Sequence, residues 1–71
     1  MEAFKFCRTL NDIFNKAGSN AHIRVFCNCQ TIFDGRRSCV SKKEWNLNVR
    51  PYLECNVIKD IMSDGVIIVA I

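Results

Sequence analysis

Cys55-Asn56-Val57-Ile58-Lys59-Asp60-Ile61-Met62-Ser63-Asp64-Gly65-Val66-Ile67-Ile68-Val69-Ala70-Ile71 is the last stretch of the sequence. Two apolar runs, 55–62 and 66–71, flank Ser63-Asp64-Gly65. Asp-Gly is favoured where both turn residues need positive φ, so the stretch reads as a β-hairpin. A two-residue turn at Asp64-Gly65 also sets the register. Met62 then faces Ile67, Ile61 faces Ile68, and Asp60 faces Val69. The final strand carries no polar residue on either face, whereas a half-exposed strand alternates. Both of its faces therefore need cover, or it becomes an aggregation hazard. One amphipathic helix can shield one face. The other calls for a second helix or for another copy of the chain, most simply in a two-fold homodimer.

Working back along the chain, Ser41-Lys42-Lys43-Glu44 matches a capping box, and Val40 and Trp45 occupy the hydrophobic-staple positions. A short helix is expected from Lys42. It should end before Pro51, because proline pushes Arg50 out of the α region. Residues 21–33 read as two strands. Ile23, Val25 and Cys27 alternate with His22, Arg24 and Phe26, and Thr31-Ile32-Phe33 resumes after Asn28-Cys29. A type I′ turn there places Cys29 at positive φ, where glycine is preferred. Asp34-Gly35 is expected to end the second strand with a turn.

Residues 2–17 read as one amphipathic helix. Ala3, Phe6, Cys7, Leu10, Ile13, Phe14 and Ala17 form a stripe, with Lys5, Arg8, Asp12, Asn15 and Lys16 opposite. Phe4 lies off the stripe. Lys16 and Gly18 supply the stop signal. The expected fold is α+β: a helix packed on an antiparallel sheet of four strands, with a short second helix between two hairpins.

Seventy-one residues make one domain, 1–71, and a chain this small buries only about 60% of its unfolded surface. A hydrophobic content of 49% excludes disorder. Charges break up the apolar residues of Met1–Arg8, which excludes a secretory signal. The longest apolar run, 66–71, is far short of the roughly 20 residues that span a bilayer. The expectation is a soluble protein of a reducing bacterial cytoplasm.

The five cysteines are an odd number for a disulfide framework. Cys27-x-Cys29 has too short a spacer for a zinc knuckle, and Cys7, Cys39 and Cys55 stand alone. Buried free thiols are expected, with no metal and no cofactor. His22 is the only histidine, so a Cys–His nucleophile would have to pair it with Cys27 or Cys29, with nothing to orient the base. There is no Gly-rich phosphate loop and no paired-carboxylate motif. The chain is not expected to be an enzyme.

Charge is concentrated. Arg36, Arg37, Lys42, Lys43 and Arg50 face only Glu44 within 36–50, a net of +4, while the remaining five basic and six acidic residues give −1. This segment is a candidate site for a nucleotide, a nucleic acid or an acidic protein surface. The plain alternative is a solvated loop. Phe26 and Tyr52 are candidate aromatic contacts, against a packing role for each; Trp45 is claimed by the staple.

The chain resembles the very small accessory proteins of phages and prophages of Gram-positive bacteria, some of which inhibit host defence in the manner of anti-CRISPR proteins. The features that carry the resemblance begin with the N-terminal helix. Ile23-Arg24-Val25-Phe26 then precedes Ile32-Phe33-Asp34-Gly35. Pro51-Tyr52-Leu53 leads into Val57-Ile58-Lys59-Asp60-Ile61, and Val66–Ile71 completes the pattern. It is a likeness of architecture across nearly the whole chain, without a diagnostic motif. It implies function by binding: occlusion of a host protein or ribonucleoprotein, or sequestration of a ligand. The mildly basic charge excludes mimicry of DNA.

Overall fold

The computed structural model describes residues 8–71. The first helix, α1, spans Leu10–Ala17. Thr9 caps it in an extended conformation (φ −117°, ψ 164°), so Arg8 and Thr9 are not helical, in contrast to the continuous helix expected from residue 2. The reason is a capping box. The Thr9 hydroxyl accepts the Asp12 N–H at 3.3 Å, and the Asp12 carboxylate accepts the Thr9 and Arg8 N–H groups at 3.1 Å each. These bonds satisfy donors that an interior helical turn would otherwise hold. The part of the expected stripe carried by Ala3, Phe6 and Cys7, and Phe4 beside it, lies outside the described residues. Gly18, at φ 87°, ends the helix as expected.

Four strands follow: β1 His22–Cys27, β2 Gln30–Arg36, β3 Lys59–Ser63 and β4 Val66–Ala70. Both hairpins close on two-residue turns with positive φ, Asn28-Cys29 (52°, 66°) and Asp64-Gly65 (54°, 78°). The β3–β4 register is the expected one, pairing Asp60 with Val69, Ile61 with Ile68 and Met62 with Ile67. Asp34-Gly35 is not a turn: β2 runs through it to Arg36, and Gly35 pairs with Ile23. Its φ of 157° is a value side-chain-bearing residues rarely adopt, so glycine serves the strand here rather than ending it.

The sheet order is β2-β1-β4-β3, and β1 runs parallel to β4. The sheet is therefore mixed, not wholly antiparallel. Residues 37–58 form a long crossover between the outer strands β2 and β3, and a connection of that length lets the two inner strands lie parallel.

Within the crossover, Lys42–Glu44 forms a short helical turn, α2. The Ser41 hydroxyl accepts the Glu44 N–H at 3.1 Å, the hydroxyl half of the expected box. The helical path does not stop before Pro51. It widens into a π turn, Trp45–Val49, and tightens into a 3₁₀ turn, Arg50–Tyr52, with Arg50 fully in the α region (φ −51°, ψ −41°). A proline ring clashes with the carbonyl four residues back. The π turn takes up that clash by re-registering the ladder, with the Arg50 N–H donating to the Trp45 carbonyl.

The core lies on one side of the sheet. Leu10, Ile13 and Phe14 of α1 meet Ile23, Val25, Phe33, Ile67 and Val69 of the sheet and Val49 of the crossover. Phe14 is the hub, edge-on to Phe33 (5.6 Å between centroids) and to Trp45 (4.9 Å). Tyr52 packs against the same cluster. Both helical segments thus cover the inner face. The second helix, one of the two covers considered for the opposite face of β4, packs on the core side instead. No helix among the described residues is long and apolar enough to cross a membrane.

Candidate binding face

Strand alternation puts every second residue on the outer side of the sheet. The registers line these residues up in three rows, read from β2 to β3. The first row is Thr31, Phe26, Ala70 and Lys59; the second is Asp34, Arg24, Ile68 and Ile61; the third is Arg36, His22, Val66 and Ser63. A bulge at Ile32 keeps Thr31 and Asp34 on this side together. The β1–β2 half is charged and polar apart from Phe26. The β4–β3 half is aliphatic, with Lys59 and Ser63 at its corners. β4 is an inner strand of the sheet, and its outward Val66, Ile68 and Ala70 are half-buried.

Asp34 organises the polar half. Its Oδ1 is 2.6 Å from His22 Nε2 and its Oδ2 accepts Arg24 Nε at 3.2 Å. The hydrogen bond from His22, assisted by the Arg24 charge, holds the Asp34 carboxyl below the usual aspartate range. Each group is partly exposed, so the trio orients side chains more than it stabilises the fold.

At one end of the face lies an open apolar cleft of about 540 Å³, lined by Phe26, Asn28, Cys29, Ile58, Ala70 and Ile71. Ile58 is 78% exposed and Ile61 37%.

The basic segment is not one surface of equivalent cations. Arg36 sits on the outer face, and its Nε donates to the Asn20 carbonyl at 3.1 Å. The Arg37 guanidinium lies over the Trp45 ring at 4.6 Å, a packing contact that neither residue's sequence context disclosed. Lys42, Lys43 and Arg50 are exposed along the crossover. Of the candidate aromatics, Phe26 reaches the outer face beside Thr31, and Tyr52 is half-buried against the core. The outer face as a unit was hidden from sequence reading, because its rows depend on the parallel β1–β4 pairing.

His22 and Cys27 stand at opposite ends of β1, about 16 Å apart at the usual rise per residue, which rules out a nucleophile–base contact between them. Cys29 lies beyond, in the turn. Cys27, Cys29, Cys39 and Cys55 are free thiols but not the buried ones expected: Cys29 and Cys39 are exposed, and Cys27 and Cys55 are half-buried. No group of three metal-ligating side chains comes together among the described residues. No known family model, curated protein or solved structure matches the chain.

Proposed function

We propose that this chain is a non-enzymatic binding protein that acts by occluding a partner's surface, the mode of action implied by its resemblance to small phage accessory proteins that inhibit host defence. The observation that supports it is the sheet with one packed face and one face left uncovered by the helical segments among the described residues. The open face joins an aliphatic half to a pre-ordered charged half, and it ends in an apolar cleft. Interfaces combine a desolvated apolar centre with polar groups that fix orientation, and this face supplies both. The basic segment serves a nucleic-acid reading less well, because Arg37 is stacked on Trp45 and Arg36 stands on the sheet's outer face, apart from the crossover cations.

The test is capture from an extract of the source cell with three baits. These are the native chain, an outer-face variant (Arg24→Glu with Ile61→Glu) and a crossover variant (Lys42→Glu with Lys43→Glu). The proposal expects the outer-face variant, still folded, to lose the captured partner while the crossover variant retains it. The reverse pattern would move the binding site to the crossover.

A further inference from the structure

We infer that the partner segment seated on the outer face is an acidic amphipathic helix of another protein, lying along β4 with a bulky apolar residue in the cleft beside Phe26. This rests on the binding reading above and adds the chemical class of the partner. Two independent features carry it: the charge of the face and its size.

Charge comes first. Arg24, Arg36 and Lys59 stand on the face against Asp34 alone, a net of +2 without His22. Asp34 is already engaged by Arg24 and His22. The cations flank the aliphatic strip: Arg24 and Arg36 lie on the β1–β2 side of Val66, Ile68 and Ala70, and Lys59 lies on the β3 side. A ligand with an apolar stripe and carboxylates on both flanks complements that layout. A second copy would bring +2 against +2.

Size points the same way. Three rows of four residues cover about 19 by 20 Å at ordinary sheet spacings. A stable dimer buries about 800 Å² on each partner, about twice that footprint. A single helix of 10–12 Å diameter fits it, with about three turns in contact. The cleft extends the strip and gives one large side chain a recess, as interface anchors require. The strip is aliphatic, and the two rings in the rows, Phe26 and His22, stand in the first and third rows and not side by side. Single-stranded nucleic acid binds on successive aromatic side chains, so protein is the better match.

The experiment uses three probes on the full chain. One is a 16-residue designed helix with leucines at helical spacing and glutamates on both flanks. The second is the same helix with lysines for glutamates, and the third is a single-stranded oligonucleotide. Amide shifts in nuclear magnetic resonance spectra locate binding, and fluorescence anisotropy measures it. The expected result is shifts at 22–26, 59–61 and 66–70, with the glutamate helix binding at least tenfold more tightly than the lysine helix. Arg24→Ala with Lys59→Ala should weaken the glutamate helix at least tenfold, with the spectrum otherwise native. Equal binding of the two helices overturns the inference. So does a face that shifts only with the oligonucleotide, or only on raising the protein concentration; in those cases the face stands and the partner class falls. If no probe shifts the face, the binding reading falls with it.

Discussion

Arg24 and Ile68 are directly paired across the parallel contact between β1 and β4. The boundary between the charged and the aliphatic half of the outer face runs between them. Arg24 in turn faces Asp34 on β2, and Ile68 faces Ile61 on β3. One row of four side chains therefore passes from an ion pair to an aliphatic pair within about 15 Å.

The outer face should tolerate change because the core cluster of the described residues lies on the opposite side of the sheet. Ile61→Lys loses one cross-strand aliphatic pair with Ile68, worth at most about 1 kcal/mol. Its thermal midpoint should fall by only a few degrees. Phe14→Ala is the contrast: Phe14 is 1% exposed and joins α1 to both Phe33 and Trp45. It should cost about 3–5 kcal/mol. A small single core rarely supplies more than that, so this variant should be largely unfolded by circular dichroism at 25 °C.

Acid should erase the Asp34 contribution. The His22 hydrogen bond, with help from Arg24, lowers this carboxyl's pKa in the folded state. A lowered carboxylate pKa stabilises the fold above the unfolded value, about 3.9, and the stabilisation is lost as pH falls through the folded value. Urea midpoints of the native chain and Asp34→Asn should differ modestly at pH 6, with the native chain the more stable, and converge as pH falls through the folded value. A gap that widens in acid would show that the trio does not carry the effect.

The Asn28-Cys29 turn should accept a stabilising substitution. Cys29 holds φ 66°, a conformation that costs a side-chain-bearing residue about 1–2 kcal/mol, partly offset by the greater unfolded-state freedom of glycine. Cys29→Gly should raise stability by about 0.5–1 kcal/mol in urea denaturation. Gly65→Ala, at φ 78°, should lower it by about 1–2 kcal/mol.

Thr9→Ala should cost about 1 kcal/mol, the usual value of a helix N-cap. Asp12→Asn removes the other half of the same box. The Thr9 and Arg8 N–H groups hold the Asp12 carboxyl below its usual range, so this loss too should fade in acid.

Local signals were legible where a turn or cap has a short-range cause. Asp64-Gly65 determined the β3–β4 register, Gly18 the end of α1, and Ser41 the start of α2. Three features were not legible, each because a non-local or competing effect decides it. Asp34-Gly35 has turn chemistry, yet pairing with Ile23 and Arg24 keeps it in the strand. Pro51 is a helix breaker, yet a π turn before it lets the helical path continue. The parallel β1–β4 pairing joins two hairpins far apart in sequence, and no hydrophobic period encodes which strands become neighbours. The candidate face depends on that pairing, so Arg24 and Ile68 were not visible as members of one site. The basic segment was visible as a cluster of charge, but not the stacking of Arg37 on Trp45.

The most direct measurement of the central claim, that the open sheet face is the working surface, is site-specific photo-crosslinking in an extract of the source cell. A photoreactive residue replaces either Ile61 on the outer face or Leu47 on the crossover, two exposed aliphatic positions (37% and 65%) on different elements. A discrete partner adduct is expected from position 61, abolished by Arg24→Glu, and none from position 47. An adduct from position 47 with none from position 61 would contradict it.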